Sequence, residues 1–238
     1  MSRERPLLFS APMVRALVAG TKTQTRRIVR VDDTPIQHGD GPLFLQRGIP
    51  SNAANVRHIG PYLKCDAPKG SNTVSSRVPC PFGVVGDRLW VRETFAAPPG
   101  STNRDEAVYR ADIPPEQNGE ERWARRHMPS SAPWTPPIHM PRWASRLTLE
   151  ITAVGVERLQ SITTQDACAE GVRHDGEWWL GGKHPIKGTP KVFGDPRQAF
   201  ESIWDELNGD RAPWASNPWV WVLTFRVATE RAAGAGAP

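Results

Sequence analysis

The stretch Gly20-Thr21-Lys22-Thr23-Gln24-Thr25-Arg26-Arg27 decides between two fold classes. Its Gly-x-Lys-Thr fragment invites comparison with the phosphate-cradling loop that opens a nucleotide-binding α/β unit. That loop needs a glycine directly before the lysine and another five residues earlier. Here Thr21 intervenes, and the preceding residues read as a helix. Ser10 can cap it, Pro12 sits in its first turn, Met13, Ala16 and Leu17 recur at helical spacing, and Gly20 supplies the left-handed end. What remains is a lysine, several hydroxyls and two arginines just past a helix terminus.

Away from this segment the patterned stretches are mostly strands. Gly86-Asp87 turns into a strand over 88–95, with Leu89, Val91 and Phe95 facing one way and Arg88, Trp90, Arg92 and Thr94 the other. A short strand is predicted over 107–112. In the clearest strand Leu147, Leu149, Ile151 and Ala153 alternate with Thr148, Glu150 and Thr152. A short helix follows from Thr163 to Glu170, with Thr163 and Asp166 as a capping box and Gly171 as terminator. Asp195-Pro196 opens another helix, with Phe200, Ile203, Trp204 and Leu207 as its buried stripe and Gly209 at its end. The last strand places Trp219, Trp221, Leu223, Phe225 and Val227 on one face. Strands mixed with a few short helices, without a βαβ rhythm, predict an α+β fold rather than a doubly wound sheet.

Three stretches carry no sustained period: residues 31–85, 113–137 and 173–194. They read as loop insertions in a single domain over 1–229, and the Ala/Gly tail over 230–238 reads as disordered. With 24 prolines, 20 glycines and 38% hydrophobic residues in 238, a core is affordable but much of the chain is loop. No apolar run approaches the roughly 20 residues that span a bilayer, and the start is too weakly apolar for a signal peptide. A cytoplasmic monomer without membrane contact is expected. Cys65, Cys80 and Cys168 make no disulfide framework. The first two lie near His58, which makes a metal site conceivable, but no Cys-x-x-Cys pair exists, so neither a metal nor another cofactor is expected. The formal charge of +5 is compatible with phosphate-bearing partners and equally with an arginine-rich soluble surface.

Three groups of residues can carry chemistry. Lys22 can act as a base or hold an oxyanion, and Thr25 can be a nucleophile if something takes its proton; solvated turn residues would look the same. Glu170 closes a short helix, where a carboxylate opposes the helix dipole by about 0.3–1 kcal/mol, which suits a group that exchanges protons. Trp143 lies between Arg142 and Arg146, an arrangement that can stack on a base while the guanidiniums hold phosphate or carbonyl oxygens; ordinary packing is the alternative. Ten tryptophans are many for this length, and most are explained as core.

The motif over Gly20 to Arg27 resembles the Gly-x-Lys-x-x-Thr-x-Arg signature of ASCH domains, members of the PUA-like superfamily. Gly86-Asp87-x-Leu89-x-Val91, Asp166-Ala167-x-x-Glu170-Gly171 and the closing hydrophobic strand follow in the same order. The Leu-Trp-Val-Arg-Glu-Thr-Phe, Met-Pro-Arg-Trp-Ala-Ser-Arg and Trp-Val-Trp-Val variants are most similar to the long ASCH proteins of bacteriophages and prophages. The resemblance leaves out the three insertions. It implies an α+β fold in which a small PUA-like β-barrel is flanked by short helices.

The family includes an N4-acetylcytidine amidohydrolase and a reported ribonuclease. Carried over by motif, the resemblance implies Lys22, Thr25 and Glu170 as a catalytic triad with Arg27 as a binding or structural partner. Lys22 would be the base, Thr25 the nucleophile on an amide carbonyl, and Glu170 the orienting group. Burial or Arg27 would have to lower Lys22 from its ordinary value of about 10.4. The implied function is removal of an acyl group from a modified cytidine. The alternatives are a non-catalytic reader of RNA or modified DNA bases, or a ribonuclease. The expected partner is a modified nucleoside or a nucleic acid, RNA before DNA, held in part by Arg142, Trp143 and Arg146. Because Lys22 and Thr25 are three apart, a regular strand would point them to opposite faces, so a turn or bulge is expected between them.

Overall fold

The computed structural model describes residues 3–31, 34–35, 43–46, 62–65, 76–113, 133–183 and 190–228. In chain order these form β1 (Glu4–Leu8), α1 (Ala11–Val18), β2 (Gln24–Ile28), β3 (Arg30–Val31), β4 (Thr34–Pro35), β5 (Leu43–Gln46), β6 (Tyr62–Cys65) and β7 (Ser76–Pro79). Then come β8 (Arg88–Arg92), β9 (Phe95–Ala96), β10 (Val108–Tyr109), β11 (Thr148–Arg158), α2 (Thr164–Ala169), β12 (Arg173–His174), β13 (Trp179–Lys183), β14 (Pro190–Phe193), α3 (Pro196–Asn208) and β15 (Trp219–Val227). The architecture is α+β, dominated by strands. No helix among the described residues is long and apolar enough to cross a membrane. The expected tail over 230–238 and most of the expected insertion over 113–137 lie outside the described residues.

The chain divides into two compact units, each assembled from separated stretches. The first comprises residues 1–20, 86–150 and 226–238. Here β1 runs parallel to β8, and β8 pairs antiparallel with Thr148–Glu150 of β11. Alternation buries Leu7, Leu89, Val91 and Leu149, as the period of two requires. Gly86 adopts φ +91°, and the carboxylate of the buried Asp87 beside it accepts from the Arg3 amide and the Arg5 guanidinium, both at 3.0 Å. The Gly-Asp turn thus tethers the start of β1 to that of β8. Helix α1 buries Val14, Ala16 and Leu17, and Gly20 at φ +73° ends it. Phe95, Tyr109, Met140 and Ala144 form a second small core.

The second unit comprises residues 21–85 and 151–225. Strand β2 pairs antiparallel with β15, Thr25 opposite Leu223 and Arg27 opposite Trp221, with no shift in register. Of the residues expected on one face of β15, Trp221, Leu223 and Phe225 are buried, Trp219 is half-buried and Val227 is exposed, while Val220 on the other face is buried too. Helices α2 and α3 meet over Leu159, Ala167, Phe200, Trp204 and Val220. Residues 31–85, read as an insertion, contain a β3–β4 hairpin and an antiparallel β5–β6–β7 sheet.

Three expectations are corrected. Residues 173–194 are not simply a loop: Arg173–His174, Trp179–Lys183 and Pro190–Phe193 form an antiparallel β12–β13–β14 sheet. Its strands escape pattern reading because Gly181 and Gly182 stand where alternation would show. A Cβ on Gly182 would come within 2.7 Å of the Ser202 carbonyl oxygen of α3, so this sheet lies against the helix as closely as backbones allow. Leu207, assigned to the buried stripe of α3, is 46% exposed. Ala153 is also exposed, since the alternation of β11 slips after Ile151 and resumes at Val154.

Candidate functional site

Lys22 and Glu170, 148 residues apart, meet in the second unit. Their backbones form an isolated antiparallel bridge, and the Thr23 amide donates to the Ala169 carbonyl at 2.8 Å. The carbonyl of Thr23 in turn accepts from the Phe225 amide at 2.9 Å. The chain therefore passes at Thr23 from pairing with the end of α2 to pairing with β15. The Lys22 ammonium donates to three oxygens, each at 2.7 Å: the Gln24 carbonyl, the Glu170 carbonyl and Glu170 Oε2. Three donors meet three acceptors, which is the full valence of an ammonium. The side chain of Lys22 is 0% exposed and that of Glu170 4%. Burial pulls the lysine below its ordinary value; Glu170 opposes this, while Arg27 and Arg26 reinforce it.

The second oxygen of Glu170 belongs to Arg26. Its Nη1 donates to Glu170 Oε1 at 3.2 Å and to Gln24 Oε1 at 3.3 Å. Its Nε and Nη2 donate to Glu157 Oε1 of β11 at 2.9 and 2.6 Å, and Nη2 lies 3.6 Å from Asp166 Oδ2. Asp166 and Glu170 are four apart, so both face Arg26 from one side of α2. The capping box forms as expected: Thr163 Oγ1 accepts from the Asp166 amide at 3.1 Å, and the Asp166 carboxylate accepts from Thr163 N at 3.2 Å. Thr163→Ala should cost about 1 kcal/mol, seen as a lower urea midpoint, with Thr163→Ser restoring it. An unchanged midpoint in the alanine variant would show that α2 does not depend on its cap.

Thr25 is wholly buried, and its hydroxyl has no hydrogen-bond partner among the described residues. The unshifted register of β2 puts Gln24 and Arg26 on one face of the strand and Thr25 and Arg27 on the other. Two members of the expected triad are thus in direct contact, and the third sits one strand-face away. Arg27 is half-buried and donates to the Arg26 carbonyl at 3.2 Å. The resemblance points to Arg27, yet Arg26 is the arginine whose hydrogen bond to Glu170 is described. The consecutive pair reads alike in sequence, and only strand phase separates them. Glu157, an apparent solvent-face residue of β11, carried no signal at all.

Arg142, Trp143 and Arg146 belong to the first unit and do not make one stacking face. Arg146 grips the buried Glu93 with Nε to Oε1 at 2.9 Å and Nη2 to Oε2 at 3.1 Å, reaches Asp112, and lies 4.0 Å above the Tyr109 ring. Burial beside this network pushes the Tyr109 hydroxyl up to about 12. Trp143 packs edge-on against Phe95, with centroids 6.4 Å apart. Arg142 is exposed and pairs with Glu4 at 3.0 Å. An indole between arginines in sequence is here an indole against the core, with one flanking guanidinium spent on a buried carboxylate.

Cys80 is buried and Cys168 half-buried, while His58 lies outside the described residues. Among the described residues no cluster of three His, Cys, Asp or Glu is spaced to hold a metal ion. No protein-family profile, curated protein or solved structure matches the chain.

Proposed function

We propose that this chain is an ASCH-type, PUA-like protein acting on a nucleobase or nucleoside, and that it hydrolyses an exocyclic amide of a cytidine-like base. The observation that carries the reading is the buried Lys22–Glu170 pair, with Thr25 three residues along the same segment also buried and its hydroxyl without a hydrogen-bond partner among the described residues. An orphan buried hydroxyl costs about 1–3 kcal/mol, so its presence asks for a partner that arrives later. In the proposed reaction Lys22 acts in its neutral form as the base, the form that burial favours for an amine. The Thr25 oxygen adds to the amide carbonyl and its proton goes to the Lys22 amine. The C–N bond then breaks, the leaving amine takes that proton, and water cleaves the threonine ester to release a carboxylic acid. The hand-over of the backbone at Thr23 is the place where the chain must turn for Lys22 and Thr25 to reach one carbonyl.

A second reading is favoured by a specific feature. Every donor of the Lys22 ammonium is filled, and Lys22, Thr25 and Glu170 are all buried. A closed, satisfied cluster suits a protein that binds a base without reacting with it. Incubation with N4-acylated cytidines and with single-stranded RNA, followed by mass spectrometry with and without chelator, separates the possibilities. Loss of the acyl group, unaffected by chelator, is the expected result. Tight binding without turnover makes the protein a reader, and chain cleavage makes it a ribonuclease.

A further inference from the structure

The arginine next to the motif's own arginine holds the carboxylate of the pair in place. We propose that Arg26 is the positioning residue of this site: it anchors Glu170 Oε1 to Glu157 and Asp166, so that Oε2 stays directed at Lys22. The inference rests on the hydrolase reading for its catalytic consequence, but its geometry stands independently.

The guanidinium is 1% exposed and touches three carboxylates from two elements, Glu157 of β11 and Asp166 and Glu170 along α2. Glu170 is left with one oxygen for each cation, Oε1 for Arg26 and Oε2 for Lys22. Without Arg26 the carboxylate is free to turn both oxygens toward Lys22 or away from it. A planar fork is needed for this, because a lysine ammonium at position 26 has no second, rigidly fixed arm. Arg26 is also one of the charges that act on Lys22, together with Glu170 and Arg27. Removing a neighbouring cation moves a lysine upward.

The test uses Arg26→Met, Arg26→Lys and Glu157→Gln in the full chain. Titration of Lys22 by NMR of labelled lysine nitrogen needs no substrate. In folded Arg26→Met its midpoint should rise by roughly half a pH unit or more. With N4-acetylcytidine as probe, kcat should fall about ten- to a hundredfold, KM should change little, and the pH optimum should move up. Arg26→Lys should bring the Lys22 midpoint back without restoring kcat, since charge returns and the fork does not. An unmoved midpoint with unchanged kcat in folded Arg26→Met, or full recovery of kcat in Arg26→Lys, overturns the proposal. If Arg26→Met does not fold, Glu157→Gln carries the test: loss of the anion that neutralises Arg26 should move the Lys22 midpoint down, and an unmoved midpoint refutes the proposal. If the native protein leaves acetylcytidine intact, the hydrolase reading fails while the lysine titration still decides the role of Arg26.

Discussion

Glu170→Ala should destabilise the protein by about 3–5 kcal/mol, the effect expected when one partner of a buried ion pair is removed. The carboxylate bonds Lys22 through one oxygen and Arg26 through the other, and so lies between the two cations. Its loss leaves an ammonium at 0% exposure with two backbone carbonyls and two arginines for company. Lys22→Met should cost less, because Glu170 retains Arg26. The double variant Lys22→Met/Glu170→Leu should recover much of the loss, since an apolar pair of similar volume often matches a buried ion pair. Urea denaturation of the four proteins gives the coupling directly. A loss below about 1 kcal/mol in Glu170→Ala would mean that water reaches the cluster and that its burial is only nominal.

Thr25→Val should move stability and activity in opposite directions. Valine keeps the β-branched shape that suits β2 and removes a hydroxyl without a hydrogen-bond partner among the described residues. Stability should be unchanged or rise by up to about 1–3 kcal/mol, the cost of an unsatisfied buried polar group. The proposed acyl-cytidine hydrolysis should fall by several orders of magnitude, because Thr25 is its proposed nucleophile. Binding of the nucleoside should persist. Full turnover in Thr25→Val would remove the threonine from the mechanism. A marked loss of stability would show instead that the hydroxyl is bonded in solution and serves the fold.

Elements governed by local rules were legible in the sequence. The capping box at Thr163, the terminators Gly20 and Gly171 and the alternation of β8 and β15 each follow from a short window of residues. The Lys22–Glu170 pairing was legible only through the family resemblance, since no local rule joins residues so far apart. The β12–β14 sheet was hidden by glycines that serve close packing rather than turning. Arg26 and Glu157 were hidden because a charged residue on a strand reads as solvated, and here both point into a shared cluster. Arg146 misled for the same reason. Its partner Glu93 is 1% exposed, and nothing in the run Arg92-Glu93-Thr94 marks which charge turns inward.

The division of each unit among separated stretches also dictates an order of events during synthesis. The β1–β8–β11 pairing of the first unit needs nothing beyond Glu150, so it can close while the ribosome is still at work on the remainder. Strand β2 is made early but must wait for β15, nearly two hundred residues later, before its ladder forms. Lys22 waits likewise for Glu170. The nascent chain therefore carries an unpaired strand rich in cations through most of its elongation, and long-range closure of this kind is slow. The charges of Lys22, Arg26 and Arg27, which end up in or beside a buried cluster, keep that waiting strand soluble and unattractive to other strands until its partners exist.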